Sequence, residues 1–206
     1  MDLTAHQTDA LTELINIGYG RAAAALSDLT GHRITLEVPH VSMHSIHEIS
    51  PLLTELVQGE VASVNQVFSG PISGNALLLL DEQAALMLSR LLTDAGVAYG
   101  DRIDSGAREI ITEVGNILLN ACLGVFGNIL NVHVTFAVPR LQVESVDRVL
   151  RSITIGSAEL THALMVHTRF QLRSSGVSGY MIIILGMTSL ERMLEELEAW
   201  DRRSQS

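Results

Sequence analysis

The segment at residues 9–39 recurs one hundred positions on, at 109–139, and this internal repeat constrains the fold more than any other feature of the chain. Asp9-x3-Glu13-x2-Asn16 returns as Glu109-x3-Glu113-x2-Asn116, Gly31 as Asn131, and Pro39 as Pro139. Both copies read as a long helix feeding a strand. In the first, Thr4-x-x-Gln7 makes a capping box, apolar residues keep helical period to Leu29, and Gly31 can supply a left-handed cap. The stretches Arg33 to Val38 and His133 to Val138 then alternate with period two, the pattern of a half-buried strand.

The later parts correspond more loosely. Phe68 to Leu92 and Phe170 to Leu197 each read strand, turn, strand, helix. Between the halves, Thr93 to Gly100 is small and turn-prone, which marks it as the seam. The chain is therefore expected to form a single domain over residues 1–206, made of two halves at roughly 1–95 and 101–200. A half standing alone would leave sheet edges unpaired, so the halves are expected to join through one continuous sheet. The expected fold class is α+β with internal pseudo-two-fold symmetry: a mostly antiparallel sheet covered by two long motif-bearing helices plus smaller helices.

Composition removes several functions. A net charge of −10, with thirteen Lys/Arg positions that are all arginine and form no cluster, argues against a nucleic-acid backbone as partner. The longest apolar runs, Ala76 to Leu80 and Met181 to Leu185, fall far short of the roughly 20 residues that span a bilayer, so they read as buried strands and no membrane is expected. The opening MDLTAHQTD has neither the basic start nor the apolar stretch of a signal peptide, and Cys122 is a lone cysteine. A cytoplasmic location is the resulting expectation.

On a helical wheel, Asp9, Glu13 and Asn16 fall at about 0°, 40° and 340°, with Gly20 at about 20°. They make one polar stripe, while Leu11, Leu14, Ile15 and Ile17 face the other way, as do Ile110, Ile111, Val114, Ile117 and Leu118 in the second copy. Acidic residues early in a helix complement the macrodipole and are ordinary surface. Set against that, the Glu and Asn recur in both copies although the neighbouring core residues have changed identity.

The pattern acidic-x3-Glu-x2-Asn, followed 23 positions later by Pro, as in Asn16 to Pro39 and Asn116 to Pro139, resembles the CheC/CheX/FliY phosphatase family. The wording Glu113-Val114-Gly115-Asn116-Ile117 is also similar to the family's helix, and two motifs in a chain of this length look CheC-like. CheX-like members carry one motif, and FliY-like members add a flagellar-switch domain. The resemblance implies hydrolysis of the phosphoaspartate on a CheY-like response regulator in chemotaxis. Asn16 and Asn116 would orient the attacking water; Glu13 and Glu113 would pair with the regulator's active-site lysine. Asp9, Pro39, Glu109 and Pro139 would support the motifs. No cofactor of its own is implied, since the divalent metal, magnesium, would belong to the regulator. A CheD-like deamidase is a further implied partner. The chemistry suits an already activated acyl phosphate, which needs a positioned water and charge stabilisation and no covalent nucleophile. Two departures stand out: the family usually has Asp or Ser at the first position, where Asp9 fits and Glu109 is one methylene longer than Asp, and Asn120 occupies the place of Gly20.

Rival readings attach to other residues. A non-catalytic adaptor of the same fold would bind a receiver domain, a flagellar-switch component or a CheD-like deamidase. His40, His44 and His47, with Glu48, would share a face if helical and could hold a metal. They follow a strand and a proline and have no counterpart in the second copy, so a continuing strand is expected there instead. Cys122 falls on the apolar arc of its helix and reads as core. Arg173 to Gly179 reads as a hairpin, and Leu190 to Trp200 as a helix with Glu191, Glu195, Glu196 and Glu198 outward.

Overall fold

A computed structural model describes residues 3–57, 59–92, 102–129, 131, 133–154, 160–172 and 175–204. The order α, β, β, α, β, β, α runs through it twice. The first pass is α1 (Ala5–Thr30), β1 (Ile34–Leu36), β2 (His40–Ser45), α2 (Ile46–Leu56), β3 (Glu60–Ser69), β4 (Gly74–Asp81) and α3 (Glu82–Leu92). The second is α4 (Ser105–Ile129), β5 (Thr135–Phe136), β6 (Arg140–Ser145), α5 (Val146–Thr154), β7 (Leu160–Leu172), β8 (Ser175–Gly186) and α6 (Met187–Ser204). The seam expected at Thr93 to Gly100 lies outside the described residues, as do Arg173 and Ser174 of the expected hairpin.

All eight strands form one sheet in the order β1-β7-β8-β4-β3-β5, with β2 also on β7 and β6 also on β3. Every pairing is antiparallel. The halves interlock rather than abut. The first two strands of each half pair with the long hairpin of the other: β2 with β7 from His40↔His167 to Ser45↔His162, β6 with β3 from Arg140↔Asn65 to Ser145↔Glu60. In the middle β4 meets β8, with Leu77 opposite Ile182.

The sheet has apolar side chains on both faces. Along β4, Ala76, Leu78 and Leu80 face the layer of α1, α3, α4 and α6, while Leu77 and Leu79 face α2 and α5. On β8, Met181, Ile183 and Leu185 join the first core, and Ile182 and Ile184 the second. Two-sided burial is why these strands read as continuous apolar runs instead of alternating ones. The arrangement is three layers, with the motif-bearing helices α1 and α4 together on one face.

These two helices run antiparallel and close. A Cβ on Gly18 would lie 2.9 Å from the Cα of Cys122, and the end of α1 at Leu29 and Thr30 borders the same cleft as Arg108 and Thr112 near the start of α4. Helix α4 is also pressed on the sheet, since a Cβ on Gly115 would meet Val64 Cβ at 2.6 Å. Stretch 105–128 of α4 is long and apolar enough to cross a membrane, with a mean hydropathy of 1.6. Its apolar side explains that: Ile111, Val114, Leu118, Leu119 and Cys122 are buried in the core.

The contacts separate two glycines of α4. Gly124 has open space where a Cβ would go, so Gly124→Ala should raise the unfolding free energy by about 0.5–1 kcal/mol through helix propensity. Gly115→Ala should lower it by about 1–3 kcal/mol, because β-branched Val64 has little room to turn away. Urea unfolding of both variants checks the signs, and a Gly115→Ala protein as stable as the parent would contradict the close packing.

Candidate functional site

The phase of the first motif is set at the start of α1. Thr4 Oγ1 accepts from Gln7 N at 3.2 Å and Gln7 Oε1 accepts from Thr4 N at 3.0 Å, the reciprocal capping box expected from the sequence. At the other end Gly31 adopts φ 66°, the left-handed cap. Between these ends Asp9, Glu13, Asn16 and Gly20 are exposed, while Leu11, Leu14 and Ile15 are fully buried and Ile17 is half-buried. The polar stripe therefore faces solvent. Pro39 is buried and immediately precedes β2.

The second motif repeats this with differences. Asp104 Oδ1 accepts from Ala107 N at 2.8 Å and caps α4, and Asn131 takes the place of Gly31 at φ 53°. Asn is among the few residues with a side chain that tolerate that conformation. Glu109 and Glu113 are exposed, but Asn116 and Asn120 are half-buried. Glu109, Glu113 and Pro139 line one cleft of about 850 Å³ together with Arg108, Leu29 and Thr30. The structure thus brings together the acidic pair and the proline of this motif, residues that stand 26 apart from Glu113 to Pro139 in the chain. Val38 and Val138, each preceding its proline, are 75% and 83% exposed.

Asn116 is engaged where Asn16 is open. Asn120 Nδ2 donates to Asn116 Oδ1 at 2.6 Å, and Gln66 Nε2 donates to Asn120 Oδ1 at 3.0 Å and to the carbonyl of Ala137 at 3.1 Å. Gln66 lies on β3 and is almost wholly buried, with its Oε1 among the described buried atoms that have no partner. In the sequence Asn120 stands out only as a departure from Gly20, and no motif singles out Gln66. The available signal was Asn116-x3-Asn120, two amides one turn apart on a helix, and a glutamine inside an otherwise mostly apolar strand.

The other constellations resolve in physical terms. His40 and His44 lie on β2 and His47 on α2, so the three share no helical face; this is the continuing strand expected after Pro39. His44 Nε2 is 2.9 Å from Ser42 Oγ, and no group of three metal-ligating residues occurs among the described residues. Cys122 is fully buried, and burial pushes its thiol far above the usual range. On α6, Leu190, Met193, Leu194 and Leu197 enter the core with Glu191, Glu195 and Glu198 exposed. Part of that acidic face is used at home: Glu198 Oε1 accepts from Gln7 Nε2 at 3.1 Å, and Asp201 pairs with His6 at 2.6 Å, tying α6 to the start of α1.

The eight-stranded antiparallel sheet with two long helices on one face is a fold that solved structures of other proteins share. Superposition gives a TM-score of 0.78 with FliY of Thermotoga maritima, at 18% identity over 97% of this chain and 100% of that one. FliM in the FliG–FliM complex from H. pylori gives 0.65, at 17% identity over 94% of this chain and 100% of that one. Residues 7–43 match the model of the CheC-like family, a span that contains Asp9, Glu13, Asn16 and Pro39. The chain is also 25% identical over 204 residues, 94% of each chain, to the CheY-P phosphatase CheC of Bacillus subtilis (strain 168). The CheC-like resemblance read from the motifs is thereby shown.

Burial of Cys122 in the α1–α4 contact fixes its reactivity. Alkylation by iodoacetamide at neutral pH should run more than about a hundredfold slower in native buffer than in denaturing urea, because labelling must wait for the core to open. Similar rates in both would show that α1 and α4 do not pack as described.

Proposed function

We propose that this chain is a phosphatase for the phosphoaspartate of a CheY-like receiver domain. The observation that carries the reading is the pair of stripes, Glu13 with Asn16 and Glu113 with Asn116, carried on two long helices with both glutamates and Asn16 exposed and Asn116 half-buried. The likeness to a CheY-P phosphatase over nearly the whole chain supports it.

The chemistry follows from the side chains. Glu13 and Glu113 present acidic side chains on exposed helix faces, suited to a charge-assisted contact with a lysine in the regulator's site. From Glu13 to Asn16 is nearly one helical turn, so a docked carboxylate delivers the amide to the neighbouring position on the same stripe. The amide can accept from, or donate to, a water in line with the acyl–phosphate bond. Water attacks phosphorus, the bond from phosphorus to the aspartate oxygen breaks, and inorganic phosphate leaves with the regulator's carboxylate restored. The magnesium that neutralises the developing charge belongs to the regulator in this scheme. Asp9 and Glu109, one turn before each glutamate, extend the acidic surface that a basic rim of the partner would meet, and Pro39 and Pro139 fix the strand entries beside it.

A second reading is favoured by the flagellar-switch likeness. FliM of the same fold is held in a complex with FliG, and exposed Val38, Val138 and Leu29 offer apolar anchors of the kind an adaptor uses. That adaptor would bind a receiver domain, a switch component or a CheD-like deamidase without turnover.

Decay of a phosphorylated CheY-like regulator, followed with and without the chain, separates the two. Asn16→Ala and Asn116→Ala should each slow the accelerated decay, and the double variant should lose at least about a hundredfold, the scale of a lost positioning contact. Acceleration that survives in the double variant would refute the assignment of the asparagines. Tight binding without acceleration by the parent chain would leave the adaptor.

A further inference from the structure

The two motifs share a sequence pattern, but the structure supports their asparagines differently. At the second, a line of hydrogen bonds runs from the backbone of Ala137, between β5 and Pro139, into the amide of Asn116: Gln66 Nε2 holds the Ala137 carbonyl and Asn120 Oδ1, and Asn120 Nδ2 holds Asn116 Oδ1. At the first motif nothing equivalent can form from the residues in register. The pairing of Asn65 with Arg140 and of His167 with His40 aligns Gln66 with Thr168, and Asn120 aligns with Gly20. Neither Thr168 nor Gly20 has an amide to offer.

Resting on the phosphatase reading, we propose that Gln66 and Asn120 are positioning residues that make the second site a preorganised one, with Asn116 as the group they aim. The chemistry of the line gives it a direction. Gln66 is buried and wedged on a strand, so its amide group has a fixed heading. With its two N–H bonds spent on Ala137 and Asn120, it requires Asn120 to present Oδ1 to it and therefore Nδ2 to the helix surface. Asn120 Nδ2 in turn requires Asn116 to present Oδ1 inward, which leaves the Asn116 NH2 outward as the donor for an incoming oxygen. One buried glutamine thus selects the amide orientation of an asparagine on the surface, two hydrogen bonds away. Gly115, next to Asn116, brings the helix down on Val64 and closes the gap that Asn120 must bridge to β3. Because Ala137 also bonds through its N–H to Val67 O at 2.9 Å, the same glutamine ties the strand leading to Pro139 to the helix. Asn16, exposed and followed by Gly20, must lose its rotamer freedom when a partner docks.

The test uses the full chain carrying Asn16→Ala, so that turnover reports the second site, with a magnesium-loaded, phosphorylated CheY-like receiver as probe. Asn120→Asp keeps an acceptor for Gln66 but has no N–H to give Asn116; Asn120→Gln keeps the amide. The first should lower turnover at saturating receiver by roughly tenfold with KM within about twofold, and the second should recover part of the loss. Gln66→Leu should mimic Asn120→Asp. An independent readout is side-chain amide relaxation in 15N-labelled chain with both asparagines intact: the Asn116 NH2 should be more ordered than that of Asn16, and should match it after Asn120→Asp. Turnover unchanged or raised by Asn120→Asp, or an Asn116 amide as mobile as Asn16 in the parent, overturns the proposal. If the unsubstituted chain speeds no regulator's decay, the phosphatase reading fails instead, and the relaxation measurement still decides whether the relay holds Asn116.

Discussion

Everything in this structure depends on the halves completing each other's sheet. Strands β1 and β2 find their partner in β7, and β5 and β6 find theirs in β3. The β4–β8 pairing then closes the middle, where Leu77, Leu78 and Leu79 have no exposure at all. Each buried leucine contributes on the order of 1.5–3 kcal/mol relative to staying in water. A half alone would forfeit that burial and expose the edges of both long hairpins. Interlocking therefore gives the two motif helices one shared sheet as their support.

That support places the motifs in a defined relation. Helices α1 and α4 lie antiparallel on the same face of the sheet, pressed together at Gly18 and Cys122. Each motif occupies the first half of its own helix, so the two stripes sit toward opposite ends of the pair. The cleft beside the second motif, with Glu109, Glu113 and Pro139 on its wall, gives that site a shape as well as a charge.

Periodicity and punctuation made much of the fold legible. The capping box at Thr4 and Gln7, the left-handed Gly31, the strand–turn–strand–helix order and the core position of Cys122 all follow from local rules whose physical causes operate within a few residues. Strand lengths were less legible: alternation from Arg33 to Val38 suggested a longer strand than Ile34–Leu36, and His133 to Val138 a longer one than Thr135–Phe136. Alternation reports a pleated surface, whereas strand length depends on how far the partner β7 or β3 continues alongside. The hydrophobic reading of α4 was incomplete for a related reason. Apolar runs interrupted by single polar residues pass for ordinary amphipathic helix, yet summed over 105–128 they are as apolar as a membrane span; only the contact with the sheet on one side and α1 on another accounts for that.

The candidate site was legible in its residues and illegible in its support. A stripe of carboxylates and an amide can be found on a helical wheel because the spacing lies within one element. The Gln66–Asn120–Asn116 line cannot, since it crosses 54 positions of sequence between strand and helix and is created by register, by the close approach at Gly115 and by the strand entering Pro139. The two stripes share a sequence pattern and differ in their tertiary neighbours: Asn116 is backed by Asn120 and buried Gln66, whereas Asn16 has Gly20 one turn on.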